Sequence, residues 1–414
     1  MSQIVGHRLG KNHDHGAAAR QRMMLYCHDS VGIGHFRRGL AICQHLAGRF
    51  PGASFLLATG TPYVPLFALP QGVDYLKLPS IAKGGDGEYH SKTLGLGTRQ
   101  VLGCRRALLL SAVRYFRPSV FLVDKAPAGV CREMVPTLKW MQRNCPQTRV
   151  VFGMRDIEDS PEATIRQWSR DGVPEVLEEC FDEIWVYGMQ AVYDVAREYR
   201  LSPKVQSKLR YQGYFHRRPC DHPFGSRPIG PHVLVTVGGG TDGAALLAGY
   251  LAEAARRVAG LGGESTLIGG PDLPREAAAR LRQIADRTEG ITWLDHTSCM
   301  SCHMRPADLV VCMGGYNTLC EVASLGKRAL VVPRVLPRLE QAMRADRWER
   351  LGLVRVLHPD RLTPAELAAG VVRLLDSAAP PDRFCLDMRA LERIEQRVSA
   401  LWKGVADREA ALCL

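Results

Sequence analysis

Gly314, Gly315, Asn317, Thr318 and Glu321 crowd into one short stretch of the second half of the chain. The apolar run at residues 308–313 reads as a buried strand and an amphipathic run follows, so the glycines mark a strand-to-helix turn. Glycine lets backbone approach a ligand closely, and the free N–H groups that open the next helix attract an anion, most simply a phosphate. Glu321 falls about one turn into that helix and faces the same crevice. A diphosphate at the helix start with a carboxylate beside it suits a nucleotide whose ribose offers hydroxyl donors. The competing reading is a tight turn with Glu321 solvated. A further buried strand at residues 328–332 is followed by Pro333-Arg334-Val335-Leu336-Pro337-Arg338-Leu339-Glu340-Gln341. Arg338, Glu340 and Gln341, each able to reach sugar or phosphate oxygens, therefore begin the element next to the glycine turn.

Two more glycine loops sit at comparable strand ends. Gly32 and Gly34, within Asp29-Ser30-Val31-Gly32-Ile33-Gly34-His35, join the first strand to a helix over residues 36–46. His35 stands at the helix start, where an imidazole is suited to accept a proton from a hydroxyl near neutral pH. Capping the helix or binding phosphate is the alternative. Asp124, after the apolar run 120–123 and next to Lys125, is the rival general base, with Asp29 and His28 ranking behind it. The other loop, Gly238-Gly239-Gly240-Thr241-Asp242-Gly243, satisfies Gly-x-Gly-x-x-Gly between a strand and a helix, which raises a dinucleotide-binding dehydrogenase. That reading needs an acidic residue at the end of the next strand to hold the ribose. The next strand ends instead in Gly269-Gly270-Pro271, with Glu264 at its opposite end. Nicotinamide binding is disfavoured, and phosphate binding survives.

Taken together, Gly-Gly-x-x-Thr-x-x-Glu ending at Glu321, the Val-Pro strand end at Pro333 and the Glu340-Gln341 helix start resemble the donor-nucleotide site of GT-B glycosyltransferases, especially the peptidoglycan N-acetylglucosaminyltransferase. The fuller string Met313 to Thr318, with Pro333-Arg334 and Pro337 to Gln341, is similar to a bacterial family of predicted glycosyltransferases. The Gly32-x-Gly34-His35 loop resembles the start of the peptidoglycan enzyme's first domain. The resemblance implies two Rossmann-like domains facing across a cleft, the second holding the nucleotide sugar and the first the acceptor. It places Gly239, Gly240 and Thr241 on the donor diphosphate, Arg217 at a donor-binding position before the linker, main-chain groups near Trp293 and Leu294 on the base, and Glu321 on the ribose. Tyr214 and Phe215 depart from the Asn-Pro of the peptidoglycan enzyme, which leaves the Arg217 alignment open. No Asp-x-Asp stands in a site-like loop, so the expected reaction needs no metal and no cofactor, the nucleotide sugar being a substrate. Helix N-termini and arginine would stabilise the departing nucleoside diphosphate, and direct attack by an activated hydroxyl would invert the anomeric centre. The expected function is transfer from a UDP-sugar to a hydroxyl of a cell-envelope or polysaccharide-type acceptor. A nucleotide-sugar 2-epimerase and a non-catalytic nucleotide-sugar-binding subunit are the alternatives.

The elements that must position these residues recur twice. In the first half apolar runs read as strands at residues 23–27, 54–58, 73–78, 120–123, 149–152 and 183–186. In the second they recur at 232–237, 265–268, 291–294, 309–312, 329–332 and 353–356, with helical patterns between. Such alternation implies parallel sheets covered by helices on both faces, and 414 residues exceed what one core usually organises. The boundaries drawn are a flexible tail at 1–22, an acceptor domain at 23–215, a proline- and glycine-rich hinge at 216–231, a donor domain at 232–380, and a last segment at 381–414 whose helix returns to the first domain. The glycine-rich stretch 81–96 reads as a mobile acceptor loop.

No apolar stretch is long and charge-free enough to span a bilayer. Residues 1–22 lack the apolar core of a secretory signal. Thirteen cysteines then point to a reducing cytoplasm and free thiols. Cys299-Met300-Ser301-Cys302-His303 has haem-attachment spacing, but that chemistry normally follows export, and a structural zinc would lack two ligands. The spacing is read as chance. A net charge of +12 favours an anionic partner. The arginines are dispersed through helices without a nucleic-acid module, which argues against nucleic acid. Peripheral contact with an anionic membrane fits better if the acceptor is a lipid-linked sugar. Solvated helix faces account for the same residues.

Overall fold

Every apolar run read as a strand forms one in the computed structural model, which describes residues 21–28, 34–84, 88–217, 230–377 and 385–412. The first domain is built on β1 (Arg22–Tyr26), β2 (Ser54–Thr59), β3 (Val73–Lys77), a hairpin of β4 (Ile81–Lys83) and β5 (Tyr89–Ser91), then β6 (Val120–Asp124), β7 (Arg149–Arg155), β8 (Glu183–Tyr187) and β9 (Leu209–Tyr211). Its parallel sheet runs β3-β2-β1-β6-β7-β8-β9. The second domain carries β10 (His232–Thr236), β11 (Glu264–Ile268), β12 (Ile291–Leu294), β13 (Leu309–Cys312), β14 (Arg328–Val331) and β15 (Arg355–Val356), in the parallel order β12-β11-β10-β13-β14-β15. Central strands such as β6, β8 and β10 are buried at all positions, as sheets covered on both faces require.

In both sheets the order reverses beside the first strand of the domain, between β1 and β6 and between β10 and β13. Ligands of open parallel sheets sit outside the carboxyl ends of the strands at such reversals. The geometry thereby places Gly34, the Gly238–Gly240 turn and the Gly314–Gly315 turn at switch points.

The last helix, Ala390–Leu412, packs on the first domain. Trp402 lies edge-on to Phe50, with centroids 5.0 Å apart, and Glu395 bonds His45 Nε2 at 2.8 Å and Arg49 Nε at 3.0 Å. A buried ion pair also joins the domains. Arg344, on helix Glu340–Arg350, donates from Nε at 3.0 Å and from Nη2 at 2.8 Å to Oδ1 of Asp156, just past β7. Tyr214 donates to the other oxygen of that carboxylate at 3.1 Å.

Two expectations need correction. Residues 81–96 are not one irregular loop: Ile81, Ala82 and Lys83 pair antiparallel with Ser91, His90 and Tyr89, and Thr98 Oγ1 donates to the Tyr89 carbonyl. β7 runs three residues further than the apolar pattern, to Arg155, because Gly153, Met154 and Arg155 continue the ladder with Trp185, Val186 and Tyr187 of β8. Most of the 1–22 tail and of the 216–231 hinge, together with Gly32 and Asp29, lie outside the described residues.

Candidate active site

Gly314 has φ +78°, and a Cβ there would meet Val331 Cγ1 at 2.8 Å. Only glycine serves at that turn, which delivers Gly315 as the N-terminal residue of helix Tyr316–Leu325. The two other second-domain loops close on one another. A Cβ on Gly270 would stand 2.4 Å from the Gly238 carbonyl oxygen, and a Cβ on Gly240 would stand 2.4 Å from that of Gly269. These loops and the helix start wall one side of a cavity of about 200 Å³. Gly239, Gly315, Asn317, Thr318 and Glu321 line it from the second domain, and Gly34, His35, Arg37, Arg38 and Arg155 from the first.

His35 and Asp124, considered above as rival bases, form one unit. His35 Nδ1 lies 2.6 Å from Asp124 Oδ2. Arg38 grips the same carboxylate, with Nε 3.0 Å from Oδ1 and Nη2 2.8 Å from Oδ1 and 2.7 Å from Oδ2. Arg38 Nη2 also lies 2.8 Å from His35 Nδ1. A proton on Nδ1, donated to Asp124, is the tautomer that avoids facing a lone pair onto the carboxylate. Nε2 is then the nitrogen with a free lone pair. Burial raises the Asp124 pKa, but Arg38 and His35 outweigh it and bring the group to about 2. Burial lowers the His35 pKa, Asp124 pulls it back, and Arg38 and Arg155 lower it again, to about 4. The imidazole is therefore neutral at pH 7, as a proton acceptor must be.

Glu321 is buried and accepts from Arg37 Nη2 at 2.7 Å across the cleft. Asn317 Nδ2 donates to the Gly34 carbonyl at 3.1 Å, and its Oδ1 accepts from Arg217 Nη2 at 3.3 Å. Arg217 thus stands behind Asn317 rather than in the cavity wall. Its backbone N–H donates to Ser324 Oγ at 2.8 Å.

Other expected residues fall elsewhere. Thr241 is exposed and outside the cavity wall. The Leu294 carbonyl already accepts from Gly269 N at 3.0 Å, and beyond β12 it is His296, Thr297 and Met300 that line the cavity. Glu340 is buried and bonded to Arg334 Nη2 at 2.8 Å, while Gln341 Oε1 accepts from the Arg334 N–H at 3.2 Å. Both residues brace the Arg334 loop. Arg338 points away from this cavity and lines another. Cys302 Sγ lies 2.8 Å from Cys299 Sγ, and among the described residues no group of three or more His, Cys, Asp or Glu converges as a ligand set.

Sequence reasoning missed Arg37, Arg38 and Arg155. The first two lie two and three residues after His35, on the same helix, Gly34–Arg49. Arg155 sits at the carboxyl end of a central strand, where position alone would have flagged it.

The two switch-point domains and the cleft between them define the GT-B fold. Against solved structures, the calicheamicin glycosyltransferase CalG4 is 18% identical, with 95% of this chain and 98% of that one covered and a TM-score of 0.57. MurG of Acinetobacter baumannii is 12% identical over 94% of this chain and 98% of that one, with a TM-score of 0.52. A putative UDP-N-acetylglucosamine 2-epimerase of Listeria monocytogenes is 12% identical over 93% and 98%, with a TM-score of 0.61. No curated protein matches the chain. Residues 233–383, the whole second sheet with its glycine loops, match the family model of the glycosyltransferase family 28 C-terminal domain. With that domain on a GT-B frame, the chain is a glycosyltransferase.

Proposed function

We propose that the enzyme transfers a sugar from a UDP-sugar to an acceptor hydroxyl with inversion and without a metal. The observation behind this reading is that one cavity is walled on one side by glycine loops and a helix start and on the other by the His35–Asp124 pair. The donor diphosphate lies against Gly239, Gly315 and the first N–H groups of helix Tyr316–Leu325, where the helix dipole and Arg37 and Arg155 favour negative charge. Glu321 receives the ribose hydroxyls in exchange for Arg37. His35 Nε2 takes the proton of the acceptor hydroxyl as its oxygen bonds to the anomeric carbon. The bond from that carbon to the β-phosphate oxygen breaks, and its electron pair leaves with UDP. Asp124 holds the imidazole in register and offsets the imidazolium charge.

Calorimetry with UDP, GDP, dTDP and NAD on wild type and Glu321→Ala tests the donor assignment. One nucleoside diphosphate should bind, and the variant should bind it about 10- to 100-fold more weakly, the loss of about 1.5–3 kcal/mol expected for hydrogen bonds to a charged group. Binding of NAD alone would overturn the reading. The fold shared with a putative 2-epimerase supports one alternative, and product analysis of a UDP-sugar incubated without acceptor separates the two. No helix among the described residues is long and apolar enough to cross a membrane. The charge of +12 supports a peripheral, cytoplasmic-face location on an anionic membrane.

A further inference from the structure

The first domain has its own switch point, and a second cavity fills it. At about 410 Å³ against about 200 Å³, it is the roomier of the two. Lys125 at the end of β6 and Glu158 beyond β7 form part of its wall, with Tyr89 from the hairpin and Trp168 from helix Pro161–Asp171. Arg338 enters from the second domain. His28, at the end of β1, lines it too, and its ring stands 6.1 Å from that of His35, edge to face. The cavity therefore abuts the proton-accepting pair on which the donor cavity also opens.

Its chemistry is specific. Lys125 is ion-paired with Glu158 Oε2, whereas Glu158 Oε1 is buried without a hydrogen-bond partner. Arg338 makes no hydrogen bond or ion pair among the described residues, so no described carboxylate pairs with its charge. The surplus is felt nearby: burial first, then Arg155 and Arg338, hold the Lys125 ammonium well below its usual range. An indole, a carboxylate oxygen awaiting a donor and an unmatched guanidinium together suit a sugar ring with an anionic substituent. The ring packs on the aromatic side chain, a hydroxyl donates to Glu158, and the anion pairs with the guanidinium.

We infer that this cavity holds the acceptor, and that the acceptor is a carbohydrate carrying a phosphate or carboxylate which Arg338 receives. The assignment rests on the transferase reading for its purpose, and its binding chemistry can be tested apart from it. Because Arg338 belongs to the second domain and the rest of the wall to the first, such an acceptor spans the cleft and carries its hydroxyl toward His35.

Saturation-transfer NMR with glucose 1-phosphate, glucuronate and methyl glucoside, on the full chain with excess UDP present, tests this. The expected result is binding of at least one anionic sugar, weakened about tenfold or more in Arg338→Gln and in Trp168→Ala, with methyl glucoside weak in all three proteins. Preference for glucose 1-phosphate assigns a phosphate, and preference for glucuronate a carboxylate. The proposal falls if none of the probes binds, if methyl glucoside binds as well as the anions, or if Arg338→Gln weakens UDP and leaves the anionic sugars unaffected. Failure of UDP to bind wild type would instead strike the donor reading, and the Arg338 dependence of the sugar signals would still decide the acceptor site.

Discussion

Replacing Arg38 by Gln should raise the His35 pKa. In the native protein the imidazole is held at about 4 by burial and, against the pull of Asp124, by Arg38 and Arg155. Arg38 Nη2 lies 2.8 Å from Nδ1, so its charge bears directly on the imidazolium. At an effective dielectric constant of about 20, two unit charges 4 Å apart interact by about 4 kcal/mol, equivalent to about three pH units. Both charges here are delocalised and share Asp124, so a rise of about one to two pH units is expected, with the midpoint moving from about 4 to between about 5 and about 6. Because the imidazole must be neutral to accept a proton, the acid limb of activity should move up by the same amount. The ring Hε1 resonance of histidine-labelled protein, assigned with His35→Gln, reads the midpoint without any substrate. Asp124→Asn provides the opposite control and should lower it. A midpoint that stays near 4 or falls in Arg38→Gln would refute the electrostatic account of the dyad.

Gly314→Ala forces φ +78° on a residue with a Cβ and drives that atom to 2.8 Å from Val331 Cγ1. It should cost about 1–3 kcal/mol in urea unfolding and weaken nucleoside diphosphate binding by displacing the helix start. Arg344→Met strands the Asp156 carboxylate between the domains and should cost about 3–5 kcal/mol, part of which Asp156→Asn in the same chain should restore. Acid should destabilise the fold in two stages. His35 has a folded pKa of about 4 below its free value of 6.5, so the unfolded chain binds the extra proton and stability falls as pH drops across that interval, by about 3 kcal/mol at about 1.4 kcal/mol per pH unit. Asp124, held at about 2, loses its contribution only as pH falls from its free value toward 2. Unfolding midpoints between pH 7 and pH 3 check the first stage, and an identical decline in His35→Gln would remove it.

Much of the frame is legible in the sequence because a strand buried on both faces must be apolar throughout. The runs at β10 and β13 each lead through a short glycine turn into the next helix, so strand, turn and helix announce themselves together. The turn before helix Tyr316–Leu325 is legible for a related reason: Gly314 has no substitute at its φ, so residue type reports conformation. Residues whose roles depend on distant partners leave no such trace. Asp124 and His35 read as competitors because 89 positions separate them, and only the pairing of β1 with β6 makes them one unit. Arg338 reads as a donor ligand because it precedes Glu340 and Gln341 in the chain. Yet the loop through Leu339, whose N–H donates to Asp159 Oδ1 at 2.9 Å, is tied to the first domain. That tie turns Arg338 toward the cavity at the end of β6 instead of the glycine loops. Position along the chain predicts which strand end a residue occupies. Which of two adjoining cavities it serves depends on how the domains dock, and that is set by buried pairs such as Arg344 with Asp156, whose members stand 188 positions apart.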